Sequence, residues 1–197
     1  MVVAAPSTRD AILDAADRIM SRWGFRKMTM DDLAREAGVS RRTIYMYFKG
    51  KEDVGLSSIG RVVDQVHAEL EKLLKTPLPP EERLRRMLTR RVMGRIEQIS
   101  DYYHSLDELF EIVRPSYMAR RRKMFEREID LITRALDEGN FRAPNIRETA
   151  ETMLLATNAF LPYSLSVREL GDHETIQKRL EVMVDLLLIG VRANPGE

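Results

Sequence analysis

The chain has 197 residues, 44% apolar and 32% charged, with 32 Lys and Arg against 31 Asp and Glu and no cysteine. That length and composition suit one large or two small globular domains, and the missing thiols exclude disulfide staples, thiolate metal sites and thiol catalysis. A net charge of +1 argues against a nucleic-acid coat held by bulk charge, so the placement of charges matters more than their sum.

The N-terminus has no basic n-region ahead of a long apolar core, and no export signal is read. The most apolar run, residues 182–191, is interrupted by Asp185 and is shorter than the roughly 20 residues of a spanning helix. A cytoplasmic protein with no membrane partner is expected.

Periodicity is helical throughout, which predicts an all-α fold. The first helix is expected from Ser7, an N-cap with Asp10 three residues on, to about Arg22, with Ile12, Ala16, Ile19 and Met20 on one face and Gly24 as its stop. Thr29 caps a second, short helix with Asp32 at the capping position and Gly38 at its end. Ser40 caps a third, with Ile44 and Phe48 inward. Two short helices around a glycine turn form a helix-turn-helix pattern.

Past Gly50 the helices lengthen. The spacing predicts helices over about 51–75, closed by Pro77-Leu-Pro-Pro80, over about 81–103, and over a piece ending before Pro115. Three more follow at about 116–138, stopped by Gly139-Asn140, at 146–170, and at 173–192.

With Ile44 and Phe48 facing the core, 100° spacing turns Arg42, Thr43 and Met46 outward and puts Tyr45 and Tyr47 on the flanks. A helix start carrying Arg41-Arg42-Thr43 suits the major groove, where Arg pairs with guanine O6 and N7, while tyrosines suit phosphates. Lys51 and Thr29 stand at helix starts, where free N–H groups favour an anion such as phosphate.

The stretch from Gly24-Phe25 through Thr29, Leu33-Ala34 and Ala37-Gly38-Val39-Ser40-Arg41-Arg42-Thr43-Ile44-Tyr45-Met46-Tyr47-Phe48 to Lys51-Glu52 resembles the DNA-binding signature of the TetR family of bacterial transcriptional regulators. The resemblance implies that Thr29, Ser40, Arg41, Arg42, Thr43, Tyr45, Tyr47 and Lys51 occupy DNA-contacting positions; Arg42 departs from it, since that position is often glycine in the family. It also implies a three-helix, helix-turn-helix DNA-binding domain at 1–54 and a helical ligand-binding and dimerisation domain at 55–197. The implied activity is that of a ligand-responsive repressor, not an enzyme, that releases a palindromic operator. An architectural or cell-division protein with the same head, and a regulated all-α enzyme or metal module, are the alternatives.

No cofactor is expected. A small apolar or aromatic effector would be lined by some of Met87, Met93, Ile96, Ile99, Tyr102 and Tyr103, or of Leu109, Phe110, Met118, Phe125, Phe160 and Tyr163, most of which also read as core. Pro115 is expected to break the helix beside them. On the last helix Val182, Met183, Leu186, Leu187, Ile189 and Val191 cover too much circumference for one buried stripe. With Met153, Leu154, Phe160 and Leu161 they predict a homodimer through the last two helices.

Glu97, Asp101, His104 and Glu108 would share a face if their helix were continuous, and a solvated acidic face is the plainer reading than a metal site. The arginines at 83, 85, 86, 90, 91 and 95 are expected on solvent faces or in interdomain ion pairs.

Overall fold

In the computed structural model, residues 7–162 and 166–192 are described, and Tyr163 lies outside them. Among the described residues the elements run α1 (Thr8–Trp23), α2 (Met30–Ala37), α3 (Arg41–Tyr47), α4 (Lys51–Leu74), α5 (Pro80–Gln98), a 3-10 helix (Ser100–Ser105), α6 (Leu106–Glu138), α7 (Ile146–Asn158), α8 (Val167–Leu170) and α9 (His173–Val191). No strand occurs among them.

Three expected boundaries move. The helix predicted to reach residue 103 stops at Gln98, because Ile99 leaves helical geometry at φ −104°, ψ 5° and the chain tightens into the 3-10 helix, itself irregular at Tyr102. Pro115 lies inside α6 rather than ending a helix. It is exposed, so the carbonyl that loses its helical donor is accessible to water and the interruption costs less than it would in a core. The helix predicted over 146–170 ends at Asn158, a few residues before Pro162, and resumes only as α8, which Ser166 and Glu169 open with a capping box.

The chain forms two compact units. One comprises the described residues up to Val62 with Ile99–Met118; the other comprises Val63–Gln98 with the described residues from Ala119 onward.

In the first unit the caps read from the sequence form as hydrogen bonds. Ser7, Thr29 and Ser40 accept from the backbone N–H of Asp10, Asp32 and Thr43 at 3.2, 3.1 and 3.0 Å. Gly38 closes α2 in the left-handed region at φ +68°. Gly24 ends α1 at φ +81°, and a Cβ there would stand 2.9 Å from Glu108 Oε2. That carboxylate accepts from the Arg26 backbone N–H at 3.3 Å, while Ser105 Oγ donates to the Met20 carbonyl at 3.0 Å. Ile12, Ile19, Met20, Phe25, Leu33, Ile44 and Phe48 are buried and form the core.

Arg61 of α4 donates to Asp14 and Asp17 of α1, at 2.6 Å each. Burial of the Asp17 carboxyl outweighs the attraction of Arg61 and pushes its pKa up to about 6. In the second unit α5, α7 and α9 pack together around Leu84, Leu88, Val92, Leu154, Leu180, Val184 and Leu188.

Because the folded protein binds the Asp17 proton more tightly than the unfolded chain does, this group makes the protein more stable as pH falls from about 6 towards 4. Urea unfolding at several pH values should show the wild type gaining on Asp17→Asn by up to about 1.4 kcal/mol per pH unit in that window. A wild type that loses ground there would mean that Arg61 governs Asp17 instead.

Candidate nucleic-acid interface

α3 presents the outward face that its spacing predicts. Ile44 and Phe48 are buried, whereas Met46 is 75% exposed and Tyr45 and Tyr47 are 47% and 44% exposed. Arg42 is exposed and has no ion-pair partner among the described residues. Arg41 pairs with Asp31 of α2 at 3.2 Å and lies 5.7 Å over the Tyr45 ring. Both ends of the Arg41–Asp31 pair are exposed, so water and salt screen it and it yields readily to a phosphate.

The two capping hydroxyls are exposed, but Thr29 Oγ1 also donates to Asp32 Oδ2 at 2.6 Å. Ser40 Oγ and Thr43 Oγ1 share a hydrogen at 2.8 Å. Thr43 is half-buried, so its hydroxyl is engaged in the cap rather than free at the face.

Lys51 is turned to another task as well. Its Nζ donates to the Arg26 carbonyl at 2.9 Å and lies 5.3 Å from the Phe25 ring centroid, tying the start of α4 to the loop between α1 and α2. What α4 offers a phosphate is therefore its N-terminal backbone more than this ammonium. Met46 was legible as outward-facing, and its exposure adds a large apolar side chain to the face beside Arg42.

The effector candidates are divided between the units. Ile99, Tyr102 and Phe110 are buried in the first, where Phe110 packs edge-on against Tyr117 at 5.5 Å, and Met118 there is half exposed. Tyr103 is half-buried in the same unit, with its phenol pushed up by burial. Tyr102 is wholly buried, its pKa is raised for the same reason, and its hydroxyl has no hydrogen-bond partner among the described residues.

Met87 and Ile96 are core in the second unit, and Phe125 and Phe160 are half-buried there. That unit has a cleft of about 570 Å³ bounded by Leu73, Arg90, Met93, Glu97, Gln177 and Asp185, so Met93 reaches one open space. A second, of about 440 Å³, lies between α7 and α9 beside Thr149, Thr152, Leu186 and Gly190.

The acidic set is not brought onto one face: the break at Gln98 separates Glu97 from Asp101, His104 and Glu108. Glu97 pairs with Arg90, and Glu108 accepts from Arg26. Arg91 is a correction, because it is 1% exposed rather than on a solvent face. The signal was present, since Arg91 continues the Leu84, Met87, Leu88 stripe at helical spacing.

Fold and face together define a helix-turn-helix protein whose short third helix is offered outward. Residues 12–55 match the model of the bacterial regulatory proteins of the tetR family. The regulator EthR of Mycobacterium tuberculosis is 40% identical over 77 residues, covering 38% of this chain and 36% of its own. The chain therefore spans little more than a third of that curated relative.

Solved structures extend the likeness to the whole fold. A transcriptional regulator from Cytophaga hutchinsonii superposes with a TM-score of 0.76 at 18% identity, over 93% of this chain and 98% of its own. FadR from Bacillus subtilis in complex with stearoyl-CoA gives 0.66 at 17%, over 93% and 99%. The tetR-family match is carried by residues 12–55, and the solved structures share the fold of the rest.

Replacing Arg42 by Ala should leave thermal stability within about 0.5 kcal/mol, because the side chain is exposed. It should cost about 1–3 kcal/mol of discrimination against a mismatched base, measured as the ratio of specific to competitor binding in a gel-shift titration. Unchanged discrimination would move the reading face away from Arg42.

Proposed function

We propose that the chain is a cytoplasmic, dimeric transcriptional repressor that holds a palindromic operator and releases it when a small molecule binds the second unit. The observation that carries this reading is α3, a capped helix with an unpaired Arg42 and three exposed large side chains facing out. Ser40, Arg41, Tyr45 and Tyr47 would meet the backbone on either side, with Thr29 and the α4 N-terminus as further phosphate contacts. Thr43 would touch the base edge through its methyl, since its hydroxyl is engaged.

α9 supports a dimer. Val182, Leu186 and Ile189 are 61%, 62% and 61% exposed, and Leu155 of α7 is 52% exposed, an apolar surface that a monomer leaves in water. The surface differs from the one expected, because Met153, Leu154 and Leu161 are buried within the chain. Two heads held by such a face would read two half-sites, which one short helix does not do with useful affinity.

The effector reading draws support from the stearoyl-CoA bound to Bacillus subtilis FadR, whose long acyl chain is in keeping with a compound that has an apolar part. Since α4 and α6 each contribute residues to both units, either helix offers a path by which ligand and operator weaken each other's binding. No helix among the described residues is long and apolar enough to cross a membrane.

Gel-shift titration against the DNA upstream of the chain's own gene should give binding that depends on a palindrome and falls steeply with salt, on the order of a thousandfold tighter than competitor DNA. Binding that ignores sequence at moderate salt would refute the repressor. Sedimentation of Leu186→Glu should give a monomer whose operator affinity drops by about a hundredfold or more; a dimeric variant would remove α9 from the interface.

A further inference from the structure

The second unit buries more cation than anion. Arg91 Nε donates to Glu128 Oε2 at 2.7 Å, Nη1 to Thr157 Oγ1 at 3.0 Å and Nη2 to Asn158 Oδ1 at 2.5 Å. Arg95 pairs with the other Glu128 oxygen, so two guanidiniums share one carboxylate, with side chains 1%, 11% and 2% exposed. The two cations hold Glu128 ionised below the usual range against its burial. His67, also buried, turns its Nε2 to Glu71 at 3.3 Å and adds no buried anion. One positive charge is left over in a region of low dielectric, where an uncompensated ion is costly.

The unmet hydrogen bonds have the same sign. Arg95 Nε and Asn158 Nδ2 are buried donors with no acceptor among the described residues. The Asn158 amide is oriented by Arg91, which claims its oxygen, so its nitrogen is the free end. Water would satisfy these donors but would leave the charge. An anionic acceptor satisfies both. Helical spacing puts Met87, one turn before Arg91, and Phe125, one turn before Glu128, on the same faces as the cluster.

We propose that this cluster receives the anionic end of the effector, an apolar carboxylic acid whose carboxylate accepts from Arg95 Nε and Asn158 Nδ2. The proposal rests on the reading of the chain as a ligand-responsive regulator, and it adds the effector's charge and the residues that anchor it. A single carboxylate matches the single excess charge, whereas a neutral ligand leaves that charge in place.

The test begins without a ligand. Asn158→Asp keeps an oxygen for Arg91 and supplies the missing carboxylate, so the variant should melt several degrees above wild type. A melting temperature equal to or below wild type would overturn the proposal. Decanoate and 4-phenylbutyrate are then compared with decanol and 4-phenylbutanol by thermal shift and calorimetry. At least one acid should stabilise the wild type at least tenfold more tightly than its alcohol. Both Asn158→Asp and Arg95→Gln, which keeps the Arg91–Glu128 pair, should lose that binding.

Equal binding of acid and alcohol, or no binding of either acid, would overturn the proposal. An acid that binds as expected but leaves the operator complex intact would uphold the site and refute the regulatory reading. Release of the operator by an alcohol alone would do the reverse.

Discussion

A seven-residue helix is too short to hold its shape in water, and α3 is seven residues long. Its cap and the core of the first unit keep it formed. Ser40 closes its N-terminus, and Ile44 and Phe48 anchor one side in the core with Ile12, Ile19 and Leu33. Each fully buried aliphatic or aromatic anchor contributes about 1.5–3 kcal/mol against roughly 7–14 kcal/mol for ordering seven residues of backbone, so the helix also needs its cap and its backbone hydrogen bonds. With one side held, the other is free to carry Arg42 and Met46 with no internal partner.

The same unit shows how a nearly neutral chain leaves cations on one face. Several of the head's acidic groups are engaged within the protein: Asp14 and Asp17 by Arg61, Glu36 by Arg18 and Arg22, and Asp32 by the Thr29 cap. Arg42 has no ion-pair partner among the described residues, and Arg41 is held by an exposed pair with Asp31 and by the Tyr45 ring. Placement does what net charge does not, since residues 1–54 hold ten Lys or Arg against eight Asp or Glu.

The second unit is organised around a different constraint. Charged groups at its centre must be neutralised from several helices at once, because a lone buried ion is unstable. Arg91 and Arg95 from α5, Glu128 from α6, and Thr157 and Asn158 from α7 meet there. The shared carboxylate makes the three helices one polar joint inside an apolar packing, and a change of charge at that joint is felt by all three.

Much of this was legible in one dimension. The caps at Ser7, Thr29 and Ser40 and the stops at Gly24 and Gly38 depend on hydrogen bonds or a backbone angle spanning a few residues, so local sequence suffices to find them. The outward turn of Met46 and the inward turn of Ile44 follow from helical spacing alone. Pro115 misled, because a proline's cost depends on whether the carbonyl it orphans meets water or core, and exposure is not local information. Lys51 and Thr43 stand where spacing puts them, but neighbours 25 and 3 residues away engage their polar atoms.

The sequence by itself determined an all-α chain, a capped helix-turn-helix head and the side of α3 that faces out, since each rests on contacts within a turn or two of helix. Only the tertiary structure decided that residues 99–118 join the first unit, that Arg91 is core, and that Leu155 rather than Met153 or Leu154 is left bare beside α9. Those outcomes depend on which distant helix covers each face, and helical periodicity gives every face of a helix without saying what will lie against it.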